Sequence, residues 1–373
     1  MQDTLDRDVA QSELLASIGE LLERVLSDRR EALCGAPFCR ETWTMLGDEL
    51  GLLGAALPEA LGGMEAGAVA HGLLMEGFGR HLMAQLYVSS LVMASALLDR
   101  SDDAQAQWLS DAAGARAIIV PALADGPADH DLDAAATRAA VGPDGVLLNG
   151  SKVLVRDAPL ADCFIVLARY EGVDDEVPVL LMVPADAPGI TREDFRTIDG
   201  ATGSHLGFAS VRLAPDSVLA SGNEARARAE TAVDAAIVAV CAEALGVMQA
   251  MLAQTIEYAR QRKQFGKPIA SFQVLQHRMV DMSVAIEQAE SITRVARGKL
   301  AAADRSEVVS AAMALVAKSC RKVAQDAVQI HGAIGIADET PISRYFRRAL
   351  AIETQFGGRE HHLSRYIDRS RRR

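Results

Sequence analysis

Tyr258-Ala-Arg-Gln-Arg-Lys-Gln-Phe-Gly-Lys-Pro-Ile-Ala-Ser-Phe-Gln-Val-Leu-Gln276 is the stretch on which the reading of this chain turns. It joins a basic cluster to a Phe-Gly turn and then opens a long amphipathic helix. In Arg262-Lys-Gln-Phe-Gly266 a guanidinium fork stands just before a turn that exposes backbone. A fork of five N–H donors beside open backbone suits a diphosphate, and an aromatic such as Phe265 can cover a ring. The ordinary structural explanation is a helix connection with a solvated basic face.

Downstream, Leu275, Met279, Met282, Ile286, Ala289, Thr293 and Ala296 recur at alternating steps of four and three. That is the seven-residue repeat of a long helix in a bundle. A second long helix is expected from about Ser306 to Ile330, ended by Gly332 and Gly335. Upstream the character differs. Ala117-Ile-Ile-Val120, Gly145-Val-Leu-Leu148, Cys163-Phe-Ile-Val-Leu167, Val177 to Val183 and Leu206 to Leu213 are short β-rich runs. Turn residues separate them, as in Gly142-Pro-Asp-Gly145 and Asn149-Gly150. From Val9 to about Ala115 the pattern is helical again, with Leu14, Leu15, Ile18, Leu21, Leu22 and Val25 at helical spacing. The expectation is an α+β chain of three domains: N-terminal helices over 1–115, a β-domain over 116–220 and a helical bundle over 221–373.

Composition bounds the function. The chain has 373 residues, 50% of them hydrophobic and only 4% aromatic, so its cores are aliphatic. A net charge of -12 argues against nucleic acid and anionic membranes as partners, although local basic clusters can still bind an anion. The basic tail Arg369, Arg371, Arg372 and Arg373 reads as a solvated end. Cys34, Cys39, Cys163, Cys241 and Cys320 form no C-x-x-C pair, as expected of reduced, mostly buried thiols. The first residues are acidic and lack a signal-peptide core, and the uncharged run Leu82–Leu98 is short for a membrane span, so a cytoplasmic protein is expected. His361-His362 has no ligand neighbours at metal spacing, so no metal is expected.

Five motifs occur in a fixed order: Leu46-Gly-Asp-Glu-Leu-Gly-Leu-Leu-Gly54 with Pro58-Glu59 and Gly62-Gly63, Asn149-Gly-Ser-Lys152, the opening segment, Gln329-Ile-His-Gly-Ala-Ile-Gly335, and Ile352 to Leu363. Together they resemble the acyl-CoA dehydrogenase family over nearly the whole chain, and the resemblance implies that the middle β-domain is barrel-like and the C-terminal bundle has four helices. The late stretch looks most like small (beta-type) subunits of pimeloyl-CoA-type dehydrogenases. The resemblance implies FAD as cofactor and an acyl-CoA as substrate, as in fatty acid or steroid catabolism. It implies electron-transfer flavoprotein as acceptor and a tetramer, built either of itself or with a paralogous subunit. It places Arg262, Phe265, Gln273, Gln329 and Gly332 on the adenosine-diphosphate part of FAD, often the FAD of a neighbouring subunit.

The same resemblance exposes a gap. Desaturation needs a desolvated carboxylate to take the α-proton while hydride passes to flavin. The two places where family members carry that Glu hold Gly357 and, at about this position, Ala236. The flavin-contacting Trp-Ile-Thr-Asn reads Leu154-Val-Arg-Asp157, and Thr-Glu-Pro-x-x-Gly-Ser-Asp reads Ala122-Leu-Ala-Asp-Gly-Pro-Ala-Asp129. Glu353 and Glu360 flank the empty turn and read as surface charges. Glu243, alone in an apolar helix, is either a weak candidate for a relocated base or half of a buried ion pair. Four readings stay open: a non-catalytic half-site subunit of a hetero-oligomer, a homo-oligomeric dehydrogenase with a relocated base, a flavin monooxygenase, and a structural subunit without FAD.

Overall fold

The computed structural model describes residues 2–28, 40–83, 86–126, 132, 136–142, 145–171 and 177–371. Cys34, Cys39, Pro143, Asp144, residues 127–129 of the Ala122–Asp129 segment, Arg372 and Arg373 lie outside these.

The main helices are α1 (Gln2–Asp28), α2 (Gly67–His81), α3 (Asp103–Ala113), α4 (Gly222–Gln261), α5 (Gln273–Gly298), α6 (Arg305–His331), α7 (Pro341–Thr354) and α8 (Arg359–Arg371). By compactness the chain forms two units. One holds residues 1–38, 68–84 and 237–373 and is helical. The other holds residues 39–67 and 85–236 and contains the sheet. Helix α4 gives its first turns to the sheet unit and the rest to the helical unit.

In the helical unit the apolar stripes settle the packing. Among the described side chains of α1, Ile18, Leu22 and Leu26 are buried, one per turn. On α5 the expected stripe is buried from Met282 through Ile286, Ala289 and Thr293 to Ala296, while Leu275 and Met279 stay half-buried. Helix α4 is long and apolar enough to span a bilayer, but 78% of its apolar window is buried in the protein. That is the behaviour of a core helix.

The sheet is mixed. Its strands are β1 (Ile119–Ala122), β2 (Arg138–Gly142), β3 (Gly145–Arg156), β4 (Cys163–Tyr170), β5 (Pro178–Pro184), β6 (Ile190–Arg196), β7 (Thr202–Leu213) and β8 (Val218–Ser221). The order is β6-β7-β3-β2-β4-β5-β8, and β1 also pairs with β4. Strand β4 runs parallel to β1 and β2, and the other pairs are antiparallel. The apolar runs of the sequence became β1, β3, β4, β5 and β7. Strands β2, β6 and β8 escaped that reading. Ile190-Thr-Arg-Glu-Asp-Phe-Arg196 is an edge strand whose charges face solvent, so it carries no apolar run.

A buried ion pair pins the sheet. Lys152 is wholly buried, and its Nζ pairs with Asp125 and donates to the Leu123 carbonyl at 2.9 Å. Asp125 also accepts the Thr137 N–H at 2.7 Å. The Lys of the Asn-Gly-Ser-Lys motif is therefore committed to the fold, which is how a buried ammonium is tolerated.

Candidate functional site

The decisive segment forms a hairpin between two long helices of the helical unit. After α4, Lys263–Gln264 pairs antiparallel with Lys267–Pro268. The two-residue loop is Phe265-Gly266, with φ of 53° and 81°. Two positive φ values between paired residues make a type I′ turn, whose twist suits a hairpin. Backbone bonds stitch it to the helix: Arg262 N–H donates to the Tyr258 carbonyl at 2.8 Å, and Ile269 N–H to the Arg262 carbonyl at 2.8 Å.

The result is an exposed aromatic inside a basic cluster. Phe265 is 90% exposed. Its ring meets Phe272 edge-on at 6.1 Å, and Lys267 Nζ lies 4.5 Å from the Phe272 centroid. Arg262 and Lys263 are exposed beside it. Helix α5 then starts at Gln273 with no side-chain cap on its first turn. An uncapped helix start presents N–H donors and the positive end of the helix dipole. Exposed cations, an uncapped helix N-terminus and an open aromatic face are the chemistry that can receive an anion attached to a ring.

The second predicted group arrives from α6. That helix ends at His331, and Gly332 takes φ 69° and ψ −146°, a region open essentially to glycine alone. A Cβ there would meet nothing within 4 Å, so the space beside it is open. Gln329 is exposed on the last turn. The His331 ring stacks on Tyr258 with centroids 4.4 Å apart, which brings the two helix ends together. Arg262, Phe265 and Gln273 thus lie on one junction, and Gln329 and Gly332 lie on the helix end that contacts it.

The places expected to hold a base have another character. Gly357 is buried at φ 96°, where side chains are strained. The turn around it is tied down: Arg348 donates to Gln355 Oε1 at 3.0 Å, and His362 Nε2 donates to the Phe356 carbonyl at 2.9 Å. Arg348 also grips Glu243 with two bonds of 2.7 Å. Glu243 and Arg348 are 2% and 3% exposed. The lone acid of the apolar helix is therefore held in a bidentate buried pair. Glu353 pairs with Arg321 at 2.6 Å, and Glu360 is exposed. His361 meets His362 edge-on at 5.0 Å, and no metal-ligating cluster occurs among the described residues.

Within the sheet unit, Ala236 is fully buried. Asp234, also fully buried, went unremarked in the sequence. Two residues on a helix lie about 200° apart, so Asp234 cannot stand in for position 236. Arg156 pairs with Asp199 at 3.2 Å, and Asp199 also accepts the Thr197 hydroxyl. Asp157 follows at φ 62° and accepts the Ser89 hydroxyl at 3.0 Å. Cys163, Cys241 and Cys320 are free and buried. Burial pushes the Cys163 and Cys320 thiols up to about 12, which leaves them unreactive.

Family models cover the chain in sequence. They are the N-terminal, middle and C-terminal domains of acyl-CoA dehydrogenase, matching residues 9–115, 108–211 and 227–370. This chain belongs to the acyl-CoA dehydrogenase family. "Acyl-CoA dehydrogenase FadE27" of Mycobacterium tuberculosis is 30% identical over 349 residues, covering 88% of this chain and 87% of that protein. The mitochondrial short-chain specific acyl-CoA dehydrogenase of Homo sapiens is 29% identical over 83% of this chain and 78% of its own length. Among solved structures, the ChsE4–ChsE5 complex from Mycobacterium tuberculosis superposes with a TM-score of 0.84 at 26% identity, covering 95% of this chain and 96% of that one. Acyl-CoA dehydrogenases are oxidoreductases acting on CH–CH groups and are flavoproteins. The hairpin and the Gly332 turn fit the diphosphate end of FAD in charge and access. Around the flavin-ring motif the fit is poorer, because Arg156 replaces a small hydroxyl residue and is held by Asp199. Arg348, which decides the fate of Glu243, had no signal in the sequence, since the two residues lie 105 positions apart.

Proposed function

We propose that this chain is the non-catalytic, half-site subunit of a hetero-oligomeric, FAD-dependent acyl-CoA dehydrogenase. It would work beside a paralogous subunit that carries the base. An α2β2 assembly in the cytoplasm, with electron-transfer flavoprotein as acceptor, is the arrangement this reading favours.

One observation carries the proposal. The seat of the base is empty down to its backbone, because Gly357 sits buried at φ 96° in a turn tied to Arg348. Restoring a carboxylate there would need a new backbone as well as a new side chain. Glu243 gives no relief, since both its oxygens are bound by Arg348. The diphosphate cradle, by contrast, remains open and positively charged. The ChsE4–ChsE5 complex is a precedent for two chains of this fold acting together.

Bound FAD would accept hydride from the acyl thioester. This chain's residues would hold the cofactor's charged end. Arg262 would offer a bidentate contact to phosphate, the α5 N-terminus would offer N–H donors, and Phe265 would supply an aromatic face to a ring. Lysines 263 and 267 raise the local potential. Proton removal falls to the partner.

Co-expression with the paralogous subunit tests this. The two chains should copurify, and FAD retention and acyl-CoA:acceptor activity should appear only in the pair. Robust FAD-dependent desaturation by the single purified chain would overturn the reading.

A further inference from the structure

We infer that Tyr258 and His331 form a ring clasp that fixes the spacing between the Arg262 hairpin and the Gly332 turn, which makes His331 a positioning residue for the dinucleotide. The inference rests on the reading of that end as a diphosphate cradle.

Helices α4 and α6 both finish here. Each finishes with its C-terminal, negative dipole end, and two such ends repel one another and an anionic ligand. The hairpin and the Gly332 turn each hang from one of these ends. Something must hold them in register, and the ring pair is placed to do so. The rings lie 4.4 Å apart and 21° from parallel. The Tyr258 hydroxyl donates to the His331 carbonyl at 3.4 Å, meeting one of the last acceptors of α6. The His331 ring is itself anchored, since its Nδ1–H donates to the Ala327 carbonyl at 2.8 Å. That bond fixes the tautomer, because a carbonyl can only accept. Burial holds the imidazole below its ordinary value, against the opposing pull of the Ala327 bond, which favours the neutral ring in the stack.

Continuity runs outward from both rings. Tyr258 is the residue whose carbonyl accepts the Arg262 N–H, one helical turn on. His331 directly precedes Gly332, whose N–H donates to the Val328 carbonyl. A shift of one ring against the other therefore moves Arg262 relative to the Gly332 turn. Neither ring need touch the ligand for its loss to be felt.

The test uses the full chain, together with its partner where the two copurify, and measures ADP and FAD binding by calorimetry. Arg262→Ala, His331→Ala, His331→Phe and Tyr258→Leu are compared with the parent. An aromatic pair of this kind is worth roughly threefold to tenfold in an equilibrium constant. His331→Ala and Tyr258→Leu should weaken ADP and FAD by that factor, and His331→Phe, which keeps a ring, should recover most of the loss. If Arg262→Ala weakens binding while His331→Ala and Tyr258→Leu do not, the clasp is wrong and the cradle stands. If His331→Phe binds as poorly as His331→Ala, the ring contact is not the working part and the clasp is again wrong. If no variant changes ADP binding, the cradle itself is misassigned and the clasp falls with it. Should His331→Ala not fold, Tyr258→Leu decides alone.

Discussion

Two turns of the helical unit differ in what they leave undone. The Arg262–Phe272 hairpin exposes its cations and holds Phe265 at positive φ with 90% of the residue in solvent. The Gln355–Gly358 turn is finished within the chain, with Arg348 on Gln355 and Glu243 and with His362 on the Phe356 carbonyl. A bulky residue in the left-handed region and in water is unfavourable on both counts, and tolerable where an outside group repays it. A buried bidentate pair needs nothing from outside. The first turn leaves its cations and its aromatic face open to solvent, and the second is closed by contacts within the chain.

The largest effects should fall on the finished turn. Glu243→Ala leaves Arg348 buried without its carboxylate and should cost about 3–5 kcal/mol of unfolding free energy in denaturant melts. Replacing both, as Glu243→Leu with Arg348→Met, should recover most of that loss. A double variant no more stable than Glu243→Ala would show that the pair is more than an internal ion pair, and a thousandfold loss of turnover in Glu243→Gln would make Glu243 a catalyst after all.

On the open hairpin, Arg262→Ala should leave thermal stability nearly unchanged and weaken FAD binding by about 1.5–3 kcal/mol, the worth of a charge-assisted hydrogen bond. Equal FAD affinity in parent and variant would remove the main distinction between the two turns. Phe265→Gly sharpens it by sign. Relief of the left-handed conformation should stabilise the isolated chain by about 1 kcal/mol. The same change should weaken cofactor retention or copurification with the partner. A variant that loses stability would mean that Phe265 supports the fold itself.

The smallest effect belongs to a region between these extremes. Glu23 is half-exposed and bound by Arg80 at 2.7 Å and His81 at 2.9 Å. Burial pushes its carboxyl up, but the bonds and charges of His81 and Arg80 outweigh that and hold it below its ordinary value of 4.5. A depressed carboxyl stabilises the fold above its ordinary pKa, and the contribution is lost as pH falls through the folded value. Parent and Glu23→Gln should therefore differ modestly in melting temperature near neutrality and converge as the pH falls through the depressed value of the folded carboxyl. A gap that widened on acidification would contradict this.

Much of the architecture was legible because it rests on local pattern. The seven-residue repeat of α5, the apolar runs of β1, β3, β4, β5 and β7, and the glycine stop after α6 are all set by residues close in sequence. The charged edge strand β6 was not legible, since an edge strand needs no apolar face. Burial of Asp234 was equally hidden.

By itself the sequence determined the family, the long helices and the apolar strands, the basic cluster with its Phe-Gly turn, and the absence of a carboxylate at positions 357 and 236. These follow from residue identity and short-range spacing. Only the tertiary structure decided where Glu243 spends its charge, because its partner lies 105 residues away and ion pairing depends on distance in space. It also decided that Lys152 serves the sheet through Asp125, that Gly357 lies at φ 96°, and that Tyr258 meets His331. Each of these depends on which helices and strands become neighbours, and that choice is made by the burial of whole faces rather than by any one motif.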